Sequence, residues 1–138
     1  MNIGFLSILL LSALPAVSLF AQQTPQSLAD AELPSLLAIY KDIHAHPELS
    51  MHEDRSAAIV AKELKAAGYQ VTERVGKYDK ASVTCFGVVG VMKNGAGPIV
   101  LVRTDLDALP VHEETGLPYA STVTTKNDEG KEVPVMHA

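Results

Sequence analysis

The stretch IVLVRTDLDALPVHEETGLPYA, residues 99–120, contains the pattern on which the fold prediction depends. It opens with four aliphatic residues, 99–102, which follow a Gly-Pro pair and precede a run of charges. A short and wholly apolar run of this kind predicts a strand buried on both faces of a parallel or mixed sheet. Asp105 and Asp107 would then stand at the carboxyl end of that strand. Open α/β sheets usually hold ligands and metals at this edge, because loops converge there on a rigid sheet.

Asp105 and Asp107 are the strongest candidates for chemistry in this sequence. Alternate residues leaving a strand point the same way, so both carboxylates could face one cleft as metal ligands or as supports for a histidine ligand. Capping of the following turn explains them equally well, since aspartate is favoured in turns and Arg103 offers an internal partner. From spacing alone, both interpretations stay open.

Upstream of this stretch, the spacing of apolar residues predicts two helices. The first spans residues 35–45 and ends before Pro47, because the residue before a proline avoids helical dihedrals. The second spans residues 53–67 and stops at Gly68, which can adopt the left-handed conformation of a helix end. Ser50 could cap an early turn of the second helix.

After the second helix, the pattern changes to the alternation and β-branched runs of strands. YQVTERV (69–75) and ASVTCFGVVGVM (81–92) predict strands, and in the second a bulge or a close backbone approach is expected at Gly87 and Gly90. NDEG at 127–130 predicts a hairpin turn. Helices followed by strands, one of them apolar throughout, predict an α/β layer structure.

Several other titratable side chains have alternative interpretations. His44 and His46 are spaced so that both could bind a metal, but histidines at a helix end also cap carbonyl groups, and capping is the favoured interpretation. Glu48 could pair with either ring. Glu113 and Glu114 are adjacent in a polar loop, where a solvated acidic surface is expected.

Composition excludes some classes of partner. The chain has 138 residues, 47% of them hydrophobic and 20% charged, which is ordinary for a globular domain. Its net charge of −5 and its scattered basic residues argue against a nucleic-acid partner and against a polybasic membrane patch. Cys85 is the sole cysteine, so no intramolecular disulfide can form.

The amino terminus predicts export. Residues 1–21 are uncharged, with an apolar core at 3–11 and a helix-breaking Pro15, as in a secretory signal peptide; cleavage after Ser18 is an alternative. An uncleaved membrane anchor is the competing interpretation, and the shortness of the unbroken run argues against it. We therefore expect a secreted or periplasmic protein. Residues 22–34, polar with two prolines, predict a tether that leads into the first helix.

Three stretches together carry a resemblance to a known family. They are IHAHPELSMHE (43–53), GVVGVMKNGAGPIVLVRTDLDALPVHEETGLPYAS (87–121) and the terminal VMHA (135–138). With them, residues 36–138 resemble the amidohydrolase branch of the zinc aminoacylase and carboxypeptidase family. That branch includes hippurate hydrolases, N-acyl amino acid amidohydrolases and auxin-conjugate amidohydrolases. The match is specific, because an arginine, two alternate aspartates and ALP are followed at a fixed distance by TGLPYAS.

The resemblance implies a fold and a reaction. The fold is a layered α/β/α metallopeptidase catalytic domain with a mixed sheet, of which residues 35–138 would be the N-terminal part. The reaction is cleavage of the amide bond of a small N-acyl amino acid or peptide-like substrate. It uses one or two divalent metals, zinc or manganese, and a glutamate base that deprotonates a bound water. The intact protein is expected to form a homodimer.

The resemblance also assigns residues. Asp105 matches the aspartate that supports the metal site, and Arg103 stands where sister branches have a histidine ligand; Asp107 and His137 are secondary candidates. The ligands of this branch come from a stretch written H-A-C-G-H-D, of which the sequence reaches only the first two residues. No metal ligand is therefore expected within this chain, and the ligands are expected after Ala138. We expect the intact protein to be active and this chain alone to be inactive. A short exported binding protein and a dipeptidase-like relative are the alternatives.

Overall fold

The computed structural model describes residues 24–79 and 83–138, so the predicted signal peptide at 1–21 lies outside the described residues. Two helices precede four strands. They are α1 (Pro25–Ala45), α2 (Asp54–Ala66), β1 (Gln70–Val75), β2 (Gly87–Val91), β3 (Thr124–Lys126) and β4 (Glu132–Pro134). The strands pair as two separate antiparallel ribbons, β1 with β2 and β3 with β4. Helices and small sheets agree with an α/β fragment. Neither described helix has the length and apolar content needed to cross a membrane.

Helix α1 begins earlier than predicted. Thr24 is its N-cap, with Oγ1 accepting a hydrogen bond from the backbone N–H of Ser27 at 3.1 Å, and Pro25 takes the first helical position. Residues 25–34 are therefore helical rather than a tether, and Pro34 lies inside the helix. The helix ends at Ala45 with His46 as C-cap, as the following proline predicts.

Helix α2 has the predicted extent but a different cap. Gly68 follows it with a φ of 87°, which confirms the predicted left-handed stop. The side chain of Glu48, rather than that of Ser50, accepts hydrogen bonds from two free N–H groups in the first turn of the helix. Its two carboxylate oxygens lie 2.9 Å from the nitrogen of Arg55 and 2.7 Å from that of Ser56. A carboxylate at this position satisfies two orphan donors and complements the helix dipole.

The β1–β2 ribbon contains the close backbone approach expected at Gly87. The register between the strands shifts between Glu73 and Val75, and the intervening Arg74 has a φ of 60°, so the bulge lies on β1 opposite Gly87. A Cβ atom added at Gly87 would lie 2.2 Å from the carbonyl oxygen of Val75. Only glycine fits at this position of the ribbon.

The β3–β4 hairpin forms where the sequence predicts it. Asn127 begins the turn, and its side-chain oxygen accepts hydrogen bonds from the nitrogens of Glu129 (3.1 Å) and Lys131 (2.9 Å). Gly130 adopts a φ of 77°, which a glycine reaches without strain. The turn residues therefore act as the pattern NDEG predicts.

The prediction of a buried strand at residues 99–102 is wrong for this structure. Their side chains are almost fully exposed, at 98%, 81%, 86% and 83% in chain order. In the described part of the chain no strand pairs with them. A strand buried on both faces needs neighbours along its edges and layers above and below, and neither ribbon reaches this run.

The buried core is small and lies where distant parts of the chain meet. Leu49 follows α1, Ala108 follows the exposed apolar run, and Val135 follows β4; these three side chains pack together. Val123 and Val133 are partly buried against them. This core holds the segments that carry the candidate functional residues.

Candidate functional site

The motif stretches recognised in the sequence are hydrogen-bonded to one another. Leu49 pairs with Ala108 in parallel orientation, and the nitrogen of Ala108 donates to the carbonyl of Glu48 at 2.8 Å. Leu109 pairs with Met136 in antiparallel orientation, through N–H···O distances of 2.9 and 3.1 Å. We call the side chains gathered here the motif junction. They are His44, Glu48, Asp107, Glu113, Ser121 and His137.

Glu113 is the most constrained of these side chains. Its carboxylate is fully buried, with Oε1 2.9 Å from Nε2 of His44 and Oε2 2.5 Å from the nitrogen of Ser121. The hydroxyl of Thr115 also donates to Oε1. The bonds from Thr115, His44 and Ser121 together lower the pKa of Glu113 to about 2, so it is ionised at neutral pH. The expected solvated surface is therefore wrong for Glu113, whereas Glu114 is exposed.

Aromatic side chains surround the buried His44 ring. Tyr119 meets it edge-on, with ring centroids 5.4 Å apart and an interplanar angle of 83°, and Tyr40 lies 5.9 Å away. Lys41 places its Nζ atom 5.5 Å from the centroid of the Tyr119 ring, a cation–π distance. These contacts fix the loop that carries Tyr119 against helix α1 and leave the imidazole little access to water.

His46 and Glu48 have structural roles in the described chain. The Nδ1 atom of His46 lies 2.8 Å from the carbonyl oxygen of Asp42, one turn back, so this histidine caps the end of α1. His44 bonds to Glu113 instead, and the two histidines do not face one site. Glu48 pairs with neither ring, because both its oxygens cap α2.

The two aspartates occupy different environments. Asp105 has a side chain that is 67% exposed, and its carboxylate accepts a hydrogen bond from Arg103 at 2.8 Å. Asp107 is half-buried and lies close enough to His137 for its charge to raise the pKa of that ring. Of the pair, the structure brings only Asp107 to the motif junction. The support role of Asp105 at a metal site stays a prediction.

His137 is half-buried and incompletely satisfied. Its Nε2 atom is shielded from solvent and has no hydrogen-bond partner within the described residues. Burial lowers the pKa of His137, and the nearby His44 acts in the same direction, while Asp107 and Glu48 oppose the shift. The ring is therefore mostly neutral at pH 7.

Comparison with known proteins gives the family. No protein-family model and no solved structure matches the chain. A protein of Synechocystis named a probable hydrolase is 44% identical over 98 residues, 70% of this chain and 23% of its own length. Hippurate hydrolase of Campylobacter jejuni is 42% identical over 101 residues, 72% of this chain and 22% of its own length. N-acetyl-L-cysteine deacetylase of Bacillus subtilis is 33% identical over 123 residues, 88% of this chain and 25% of its own length.

The chain belongs to the amidohydrolase/aminoacylase family. The resemblance found in the motifs is thereby confirmed, and the names of the relatives make the family one of hydrolytic enzymes. The chain spans about a quarter of the length of the curated relatives it matches.

The family resemblance implies a bound metal. The motif junction does not offer a complete set of ligands for it. Nε2 of His44 is bonded to Glu113, and both oxygens of Glu48 are bonded to helix α2. His137 offers one ring nitrogen. Within 24–79 and 83–138, no three His, Cys, Asp or Glu side chains are placed to hold an ion. These residues do not fit zinc or manganese by themselves, and no reaction step through a metal follows from them.

The predicted position of the metal ligands, after Ala138, stays a prediction. Ala138 is exposed and carries no side-chain donor atom, so it adds no ligand of its own to the motif junction. Its neighbour His137 is the last residue of the described chain with a side chain that a metal could bind.

Proposed function

We propose that the intact protein is a metal-dependent amidohydrolase that cleaves the amide bond of small N-acyl amino acids. The observation that carries the proposal is its similarity to relatives named for this kind of reaction, a hippurate hydrolase at 42% identity and an N-acetyl-L-cysteine deacetylase at 33%. The meeting of the motif stretches at one junction supports it, because residues far apart in sequence are held together around Asp107 and His137.

In this proposal the described residues support and position the metal site but do not supply its ligands. Residues 35–138 form the N-terminal part of a layered α/β/α catalytic domain, and the ligands for zinc or manganese come from residues after Ala138. Asp107, whose charge opposes the lowering of the His137 pKa, would help to orient the segment around that ring. Asp105 would turn toward the metal only if its exposed ion pair opened.

The proposal extends to compartment and assembly. The uncharged apolar segment at 1–21 supports a secreted or periplasmic location. The resemblance supports a homodimer for the intact protein.

The experiment is a hydrolysis assay on the intact protein with N-benzoylglycine, N-acetyl-L-cysteine and an unacylated dipeptide, following release of the free amine. We expect turnover of the acylated substrates, its loss on chelation, and its recovery with zinc or manganese. Asp107→Asn should lower turnover, and Asp128→Asn on the exposed hairpin turn serves as the matched control.

Two outcomes would contradict this proposal. Hydrolysis that survives complete chelation would remove the metal from the reaction. Turnover of the dipeptide in place of the acylated amino acids would favour the dipeptidase-like alternative. The chain of 138 residues, assayed alone, should show neither turnover nor tight zinc binding, and metal-dependent turnover by it would show that its own residues complete the site.

A further inference from the structure

We propose that Glu113 is a positioning residue of the motif junction: it ties helix α1 to the β3–β4 hairpin and thereby fixes the segment 135–138. The inference deepens the proposed function and rests on it, since that segment carries His137. Glu113 need not contact a substrate to do this. It acts through the hydrogen bonds of its two oxygens.

The Glu113 carboxylate joins helix α1 to the segment around Ser121. Among the described residues, no other side-chain hydrogen bond links these two parts of the chain directly. Oε1 faces His44 on helix α1 at 2.9 Å, and Oε2 accepts the backbone N–H of Ser121 at 2.5 Å. Both side chains of the His44–Glu113 pair are almost completely shielded from water. A bond of this kind keeps its geometry, because water does not compete for either partner.

Ser121 passes this constraint to the end of the hairpin. Its hydroxyl donates to the carbonyl of Val135 at 2.7 Å and accepts from the nitrogen of Val123 at 3.1 Å. The nitrogen of Val135 donates in turn to the carbonyl of Val123 at 3.0 Å, and the Val135 side chain is only 1% exposed. A displaced Ser121 therefore shifts Val135, and with it Met136 and His137.

The site requires acceptor oxygens rather than bulk. Three donors converge on Glu113, from the Thr115 hydroxyl, the His44 ring and the Ser121 amide. Leucine would fill a similar volume but leave these groups unpaired in a site closed to water. Glutamine can replace the acid at neutral pH. Its oxygen can accept from Ser121, while its amide can donate to the Thr115 oxygen and to Nε2 of His44 in the tautomer that carries the ring proton on Nδ1.

The test is hydrogen exchange of the full chain, read by mass spectrometry at pH 7. In Glu113→Leu, the amides of residues 109–123 and 133–138 should exchange about tenfold faster or more, the ratio expected when a buried hydrogen bond is lost. The amides of β1 and β2 should keep their rates. Glu113→Gln should recover most of the lost protection, and Glu114→Leu, an exposed neighbour, should resemble the wild type.

Some results overturn the proposal. If exchange accelerates equally at all amides of Glu113→Leu, Glu113 contributes only to global stability. If the exchange rates do not change, Glu113 positions nothing. If Glu113→Gln exchanges as fast as Glu113→Leu, Glu113 acts through packing rather than through hydrogen bonds. Should Glu113→Leu fail to fold, Ser121→Ala removes a single hydroxyl and should accelerate 133–138 selectively.

Hydrolysis by the intact protein separates this inference from the proposed function. Glu113→Leu should lower kcat, and Glu113→Gln should restore it. If the wild type hydrolyses no N-acyl amino acid, the proposed function fails while the exchange pattern stands on its own. If Glu113→Leu keeps wild-type kcat and KM although its exchange changes, Glu113 does not position the reaction.

Discussion

The Nε2 atom of His44 lies 2.9 Å from Oε1 of Glu113, although the two residues are 69 positions apart along the chain. The contact brings the end of helix α1 to the loop that leads into the β3–β4 hairpin. It also places an ionised carboxylate in a site that water does not reach, where three donors hold it. The charge state of Glu113 is therefore linked to folding.

We expect Glu113 to make the chain sensitive to acid. Its pKa is about 2 in the folded chain against an ordinary value of 4.5, so the folded state favours the ionised form. The stabilisation is fully present above pH 4.5 and is lost as the pH falls toward about 2, because the unfolded chain takes up the proton first. The measurement is urea unfolding by circular dichroism at pH 7, 4.5 and 3.

Glu113→Gln is the matched variant for this titration, because it has nearly the same shape and no proton to gain. Its unfolding midpoint should fall less between pH 4.5 and 3 than that of the wild type. Parallel decreases in the two proteins would mean that other carboxylates cause the acid sensitivity.

Glu48 should contribute to the free energy of unfolding, because it caps helix α2. Its carboxylate caps two N–H groups at the start of α2. We expect Glu48→Ala to lower the free energy of unfolding by about 1–2 kcal/mol, the usual cost of losing a helix cap. Ser50→Ala is the control, since Ser50 is exposed and does not cap the helix. Equal losses in chemical denaturation would contradict the assignment of the cap to Glu48.

Gly87→Ala should disrupt the β1–β2 ribbon. The added methyl would lie 2.2 Å from the carbonyl oxygen of Val75, and a backbone atom cannot move aside as a flexible side chain does. We expect a loss of about 1–3 kcal/mol, as for other overpacked sites. Gly97→Ala is the control, because an added Cβ there meets nothing within 4 Å. If thermal unfolding gives the same loss of stability for both variants, the ribbon relaxes around the added methyl group.

Features set by neighbouring residues could be predicted from the sequence. The stop of α2 at Gly68 and the turn at Asn127 each depend on conformations that a few adjacent residues favour. The start of α1 had a readable signal too, since Thr24 before Pro25 is an N-cap pattern. The polar composition of 22–34 favours a tether and so conflicts with that signal.

Features set by distant residues could not be predicted in this way. The burial of Glu113 depends on its hydrogen bond to the distant His44. Thr115, two positions further along, is the one nearby residue whose hydroxyl indicates that the Glu113 carboxylate is hydrogen-bonded. Asp107 lies near His137, while Asp105 is exposed and pairs with Arg103, and the period of a strand does not specify this difference. Spacing predicted a shared direction for the two aspartates, and tertiary contacts separated them.

The exposed apolar run at 99–102 should make the chain self-associate. Four consecutive aliphatic side chains, each more than 80% exposed and without a partner strand in the described residues, form a template for pairing with a second copy. Val100→Lys should weaken association about tenfold or more, because burying one such side chain contributes about 1.5–3 kcal/mol. Thr125→Lys adds the same charge at an exposed site on β3 and should associate like the wild type. Sedimentation over a range of concentrations measures the difference. A wild-type chain that stays monomeric throughout, or equal weakening by both lysines, would show that this run does not mediate contact between copies.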